Sequence, residues 1–267
     1  MQVMKLFKNK KVVIGLLIAL AIVGGFFWWR GRSGSPTEIN QKQKLTLPNN
    51  VIPVAERPYL SIEPLADGHN VEIKVHLVKN EAEELEYELE YQAGTLLQGA
   101  FGTINITSLP ALAKVLLGSC SAGGACSFHE DVRGGTLLTR YTGGSEPYAL
   151  KSDWKYIDNV SRETAHSSKD AKFQIEGRSL GQQRYLVIFN TPGYPEDVPG
   201  EVVSEIYSLT ASGALSGEVE LTLRANEEGE LKIAAWDGSE WTTYDGEVDG
   251  KMITATVGLA ELYLVTR

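Results

Sequence analysis

The chain has 267 residues, with 25 basic and 34 acidic side chains, a net charge of −9, 27 glycines and two cysteines. Six of the basic residues and none of the acidic ones lie in 1–32, which leaves 19 basic against 34 acidic, net −15, for the remainder. That acidity speaks against nucleic acid as a partner, because phosphate binding needs clustered Lys and Arg, and it suits a solvated surface.

Val12 to Trp29 runs for eighteen residues without a charge. As a helix rising 1.5 Å per residue it would reach about 27 Å, close to the hydrocarbon thickness of a bilayer. Lys5, Lys8, Lys10 and Lys11 precede it and Arg30 and Arg32 follow, so 1–11 is expected in the cytoplasm and the chain after 29 outside. Phe26 to Trp29 fit an aromatic belt at the outer headgroups. The rival is a signal peptide cleaved after Ala21, at the small-x-small pattern Ala19-Leu20-Ala21. Cleavage there would start the mature chain on the apolar run Ile22 to Trp29, which favours a retained single-pass anchor.

Residues 30–57 are polar with three prolines and read as a flexible stalk. Residues 58–190 are expected as one β-sandwich domain. Val71 to Leu77 and Leu85 to Tyr91 alternate strictly between apolar and polar, the period of a half-buried strand. Joined through 80–84, they are expected to pair as a hairpin with Val75 beside Leu89 and Leu77 beside Tyr87. On the wet face Lys74 would oppose Glu90 and His76 would oppose Glu88. Leu77 and Tyr87 should be buried, and Glu86, Glu88 and Glu90 exposed. Further strands are expected near 95–106, 127–132, 136–141, 147–157, 171–176 and 184–190. A short helix is expected over Leu109 to Leu117, capped by Ser108, with Pro110 in its first turn and Gly118 at its end.

Residues 191–200 hold three prolines and two glycines and read as an interdomain linker. Residues 201–267 follow as a smaller β domain, with strands near 202–209, 217–224, 230–236, 240–244, 251–257 and 261–266. The expected class is therefore mainly β: a transmembrane helix, then one or two extracytoplasmic antiparallel β-sandwich domains, Ig-like or jelly-roll-like. The stretch Ala234 to Val265, with its Trp-x-Gly-x-x-Trp and Ile-x-Ala-x-Val patterns, resembles the closing β-sandwich modules of bacterial surface proteins. The anchor-plus-β layout is similar to single-pass bacterial surface proteins. Both resemblances imply a structural module and a location, not a reaction.

Cys120 and Cys126 are separated by five residues, two of them glycine, and an oxidising exterior predicts a disulfide between them. His129, Glu130 and Asp131 follow at once, so Cys120, Cys126 and His129 are also weighed as zinc ligands, and Cys126 with His129 or His166 as a nucleophilic pair. Trp236, Trp241 and Tyr244, around the turn Asp237-Gly238, are candidates for a sugar-stacking platform, against the commoner packing role of strand aromatics. Asn105 and Asn159 begin glycosylation acceptor patterns. No Gly-x-Ser-x-Gly elbow, Walker loop, dinucleotide fingerprint or His-Glu-x-x-His occurs, and no cofactor is expected. These readings converge on a cell-surface protein, anchored in the membrane, with a structural, adhesive or protein-binding role. Binding of a surface polysaccharide through the Trp pair is the alternative, and an envelope enzyme using Cys126 and His129 the last.

Overall fold

The structure, a computed structural model, describes residues 47–267. The expected tail 1–11, the anchor 12–29, the cleavage point after Ala21 and most of the stalk lie outside the described residues. Among those described, no helix is long and apolar enough to cross a membrane.

Leu47–Arg267 is one compact unit built almost wholly from antiparallel strands. In chain order these are β1 (Tyr59–Pro64), β2 (Asn70–Leu77), β3 (Glu84–Ala93), β4 (Leu96–Asn105), β5 (Ala111–Leu116), β6 (Gly118–Cys120), β7 (Cys126–Phe128), β8 (Val132–Thr142), β9 (Tyr148–Asp158) and β10 (Ala165–Ser167). They continue as β11 (Phe173–Glu176), β12 (Tyr185–Asn190), β13 (Tyr207–Ala211), β14 (Glu218–Arg224), β15 (Lys232–Trp236), β16 (Trp241–Tyr244), β17 (Glu247–Asp249), β18 (Met252–Gly258) and β19 (Leu262–Thr266).

A nine-stranded sheet in the order β16-β15-β19-β13-β12-β9-β8-β3-β4 forms the spine. The sheet β1-β2-β5 covers one face at the β12-to-β4 end, and the sheet β10-β11-β14-β18-β17 covers the opposite face at the other end. Successive side chains of a strand point to opposite faces, so the shared strand β12 feeds both cores. Val187 and Phe189 bury with Leu60, Ile73, Leu89 and Trp154, whereas Leu186 and Ile188 bury with Phe173, Leu221, Ile253 and Tyr263. A strand wetted on neither face reads as a continuous apolar run, and Leu186-Val187-Ile188-Phe189 is one.

Residues 191–200, expected as a linker, join two adjacent strands of that sheet: β12 pairs with β13, setting Ile188 opposite Leu209. Thr191 to Pro195 are buried. The Thr191 hydroxyl accepts from the Leu60 amide at 3.3 Å, and the Tyr194 ring sits under the Lys79 ammonium. The sheet β10-β11-β14-β18-β17 likewise mixes strands from before and after 191–200. Prolines here mark tight packing between layers instead of a hinge.

The alternating segments are strands as expected, but β2 and β3 do not pair. β2 lies between β1 and β5, and β3 between β4 and β8, so the two face each other across a core. Val75 and Leu89 do share that core, as opposite layers. Lys74 pairs with Glu63 and His76 with Ser61, not with Glu90 and Glu88. Leu77 and Tyr87 are only half-buried, and Glu86, Glu88 and Glu90 are half-covered by their neighbours. Alternation fixes which face is wet but not which strand lies alongside.

The helix expected over Leu109 to Leu117 is strand β5, whose Ala111, Ala113 and Val115 face the core while Leu112 and Lys114 face water. Its period is two, and the Ser108 and Pro110 that resembled a helix start flank a turn instead. The expected strand 127–132 is shortened to β7, because Asp131 takes a left-handed φ of 51° that breaks the extended run. The end of the stalk also folds in. Asn50 lies alongside β9: its side-chain amide donates to Lys151 O at 3.0 Å, its Oδ1 accepts from Lys151 N at 2.9 Å, and its own N–H reaches Ala149 O.

Candidate functional site

Strand alternation gathers one titratable cluster that the sequence reading had dispersed. Leu60 and Ile62 enter the core, which turns Tyr59, Ser61 and Glu63 of β1 to the opposite face; on β2, burial of Val71, Ile73 and Val75 does the same for Lys74 and His76. Tyr59, Ser61, Glu63 and Lys74 wall one side of a groove of about 360 Å³. Thr210, Ala211, Gly213 to Leu215, Asp237 and Glu261 wall the other. The Tyr59 and His76 rings stack at 4.6 Å, Ser61 Oγ lies 2.8 Å from His76 Nε2 and donates to Glu63 Oε1 at 3.3 Å, and Lys74 Nζ donates to Glu63 Oε2. Burial lowers the His76 pKa against the raising effect of Glu63. Burial, then the charge of Glu63, raises that of Glu261.

The Ser61–His76 contact does not make a nucleophile. If Ser61 gives its one hydroxyl proton to Glu63, His76 Nε2 must carry its own and donate to Ser61 Oγ. A nucleophilic serine needs the reverse: a proton-accepting imidazole oriented by a carboxylate on its other nitrogen. Ser61 is also only 3% exposed. The groove offers three carboxylates and one ammonium, an acidic surface.

Cys120 and Cys126 form a disulfide, as expected, pairing directly across the two-stranded ladder β6–β7 with Cα atoms 4.0 Å apart. Neither sulfur is then a thiolate, which removes the zinc and nucleophile readings of Cys120, Cys126 and His129. His129 Nδ1 is bonded to the Tyr91 hydroxyl at 2.9 Å, and Phe128 stacks on His69. With His69, Arg133, Asp158 and Arg184, residues His129 to Asp131 do line a groove of about 600 Å³, but its acidic and basic groups offset each other. Among the described residues, no three His, Cys, Asp or Glu side chains are placed to hold a metal. His166 lies on β10, in the other half of the molecule, with its Nε2 buried and without a partner.

The aromatic trio divides. Trp236 and Trp241 are opposite each other in the β15–β16 pair, their rings 5.5 Å apart, on the face that carries Leu262 and Leu264. Tyr244 packs against the core on the other face, and its hydroxyl accepts from Gly258 N. The hairpin between them turns at Gly238, whose φ of 102° suits a residue without Cβ. Trp241 Nε1 donates to Glu196 O, so this indole pins 191–200 to the sheet. Of the two glycosylation patterns, Asn105 is exposed at the end of β4, whereas Asn159 is buried, its amide donating to Glu163 O and Leu180 O.

The most exposed apolar surface lies at a sheet edge. Strand β4 was expected; that it closes the sheet was not legible, because edge position depends on all the other pairings. Among the described residues its only ladder neighbour is β3. Phe101 is 86% exposed, Leu97 66% and Leu96 63%. Leu96–Asn105 contains no charged residue and no proline.

No family model, curated protein or solved structure matches this chain. The likeness of Ala234 to Val265 to surface-protein modules therefore stands on those residues alone.

Proposed function

We propose that this is a membrane-anchored protein of the cell surface, N-terminus in the cytoplasm, whose β-sandwich body binds another protein by strand addition at β4. The observation that carries the reading is the ten-residue, uncharged edge, free among the described residues, with Leu97 and Phe101 in solvent. An edge strand exposes unpaired amides and carbonyls, and proteins ordinarily blunt such strands with charge, proline or shortness. The anchor part of the reading rests on Val12 to Trp29 and the basic residues before it. A glycan platform has less support, since Tyr244 faces away from the Trp pair and Trp241 is engaged by Glu196.

The test measures binding of cells displaying the full chain to cells of the native host. Adhesion that falls at least tenfold with Phe101→Lys and persists with Trp236→Ala supports the reading. Adhesion lost with Trp236→Ala alone transfers the role to the indoles, and release of the chain from membranes by high salt without detergent removes the anchor.

A further inference from the structure

We infer that the partner taken by β4 is a second copy of this chain, added antiparallel about a two-fold axis through Gly99; this rests on the strand-addition reading above. The first support comes from the comparison of edges. β1 carries Glu63 and ends in Pro64, β5 carries Lys114, and β17 is Glu247-Val248-Asp249; β10 and β16 span only three and four residues. Each of these is protected against pairing. β4 has ten residues, no charge and no proline.

The second support is orientation. Leu89 O points to β4, where it would lie 3.8 Å from a Cβ at Gly99, while Glu90 O points to β8, where it would lie 2.2 Å from a Cβ at Gly135. The odd-numbered residues of β3 therefore bond to β4, and their partners on β4 are even-numbered, as Leu89 is to Ala100. By the alternation of an antiparallel ladder, Leu97, Gly99, Phe101 and Thr103 turn their N–H and C=O groups to the free edge. The same four side chains lie on the outer face, since Ile104 is the buried member of the strand.

The third support is self-complementarity. With the axis at Gly99, residues whose numbers sum to 198 stand opposite each other. Gly99 faces the partner's Gly99, and Phe101 faces the partner's Leu97. The two-fold axis repeats that aromatic–aliphatic pair on the other side of the glycines, and cross-strand pairs of this kind favour a register. The glycine pair leaves a depression between the two rings, which they close by leaning inward. Charge restricts where two copies can meet. The chain is acidic, and Glu84, Glu86, Glu88 and Glu90 crowd β3, so two copies repel one another over most of their surface. At Leu96–Asn105 alone they meet without like charge, and Arg140 partly offsets Glu88 behind it.

Sedimentation of the full-length chain in mild detergent tests this, with three sets of variants. Wild type is expected to dimerise reversibly, and Phe101→Lys to raise the dissociation constant at least tenfold. The double variant Leu97→Lys with Phe101→Glu sets each introduced lysine opposite an introduced glutamate and should restore most of the lost affinity. A Cβ at Gly99 meets only an ordinary contact, so Gly99→Cys is tolerated and should give a disulfide-linked dimer under mild oxidation. Thr103→Cys should not, because the two copies of position 103 lie eight residues apart in this register, about 27 Å. A wild-type monomer at high-micromolar concentration, a dimer indifferent to Phe101→Lys, or equal crosslinking from 99 and 103 overturns the inference. If wild type is monomeric yet its cell adhesion still depends on Phe101, strand addition stands with a different partner and only self-pairing fails.

Discussion

Val187 and Ile188 are neighbours on β12, yet they bury in different cores on opposite faces of one sheet. One strand thus belongs to both halves of the molecule, so neither half has a complete core without it. Val187→Ala and Ile188→Ala should each shift a single unfolding transition, by about 2 and 2–5 kcal/mol respectively, cavity formation being the cause. Urea denaturation followed by tryptophan fluorescence checks this, because Trp154 reports one core and Trp236 with Trp241 the other end. Two separated transitions, only one of them moved, would mean that the halves unfold independently.

Glu261 in the groove of about 360 Å³ and His76, in contact with Ser61 of its wall, make stability depend on pH in two opposed ways. The folded-state pKa of Glu261 is raised, by burial first and then by Glu63, so its favourable contribution is complete below the unfolded value near 4.5 and is lost as pH rises through the folded one. Glu261→Gln should therefore raise the melting temperature at pH 7 by about 1–2 °C, a small gain because the groove is open to solvent, and give no gain below pH 4. The His76 pKa is lowered by burial, so its neutral form is favoured, and stability should decline as pH falls below about 6.5. Calorimetry of wild type and His76→Gln across pH 4–8 separates the two. A Glu261→Gln gain that persists at pH 4 would assign its effect to packing.

The Cys120–Cys126 bridge closes a short loop on an exposed two-stranded ladder. Cys120→Ser with Cys126→Ser should cost about 2 kcal/mol or less and leave both cores intact. Thiol titration of the unreduced wild type should find no reactive thiol among these residues. Two reactive thiols would return His129 and the cysteines to consideration as a site.

Trp241 holds 191–200 to the sheet through Glu196 O. Trp241→Phe keeps most of the apolar area and removes the donor, an expected loss of about 1 kcal/mol. Limited proteolysis should then cut faster within Glu196 to Gly200. Unchanged cleavage would place the hold in the buried Thr191 to Pro195 alone.

Asn50 substitutes for a strand residue beside Lys151 with both its amide groups. Asn50→Ala removes two hydrogen bonds and should release residues 47–52, at a cost of about 1–2 kcal/mol. Amide exchange at Lys151 should quicken while exchange at Trp154 stays slow.

Much of the local structure was legible. Apolar and polar residues alternate in β2, β3, β14 and β18 because one face of each is wet, and the Gly-rich, disulfide-closed loop between Cys120 and Cys126 declared itself by its spacing. The helix reading at Leu109 failed because Ser108 and Pro110 suit a turn as well as a cap, and the alternation of Ala111, Ala113 and Val115 carried the better signal. The hairpin of β2 with β3 failed for a different reason. Complementary charges at Lys74 and Glu90 agreed with that pairing, but Lys74 found Glu63 closer in the sheet that formed.

The candidate surfaces show the same division. The exposed apolar side chains of β4 and the polar residues of β1 and β2 are written in the chain, and so is the wet face of each strand, because side-chain period depends only on backbone geometry. Which strands become neighbours is set by contacts between residues more than a hundred positions apart, as when Thr210 Oγ1 donates to Ile62 O. Only those long-range pairings left β4 at the rim and brought Glu261 beside Glu63. Sequence chose the strands and their sides; the competition among all possible pairings for one buried volume chose the edges and the grooves.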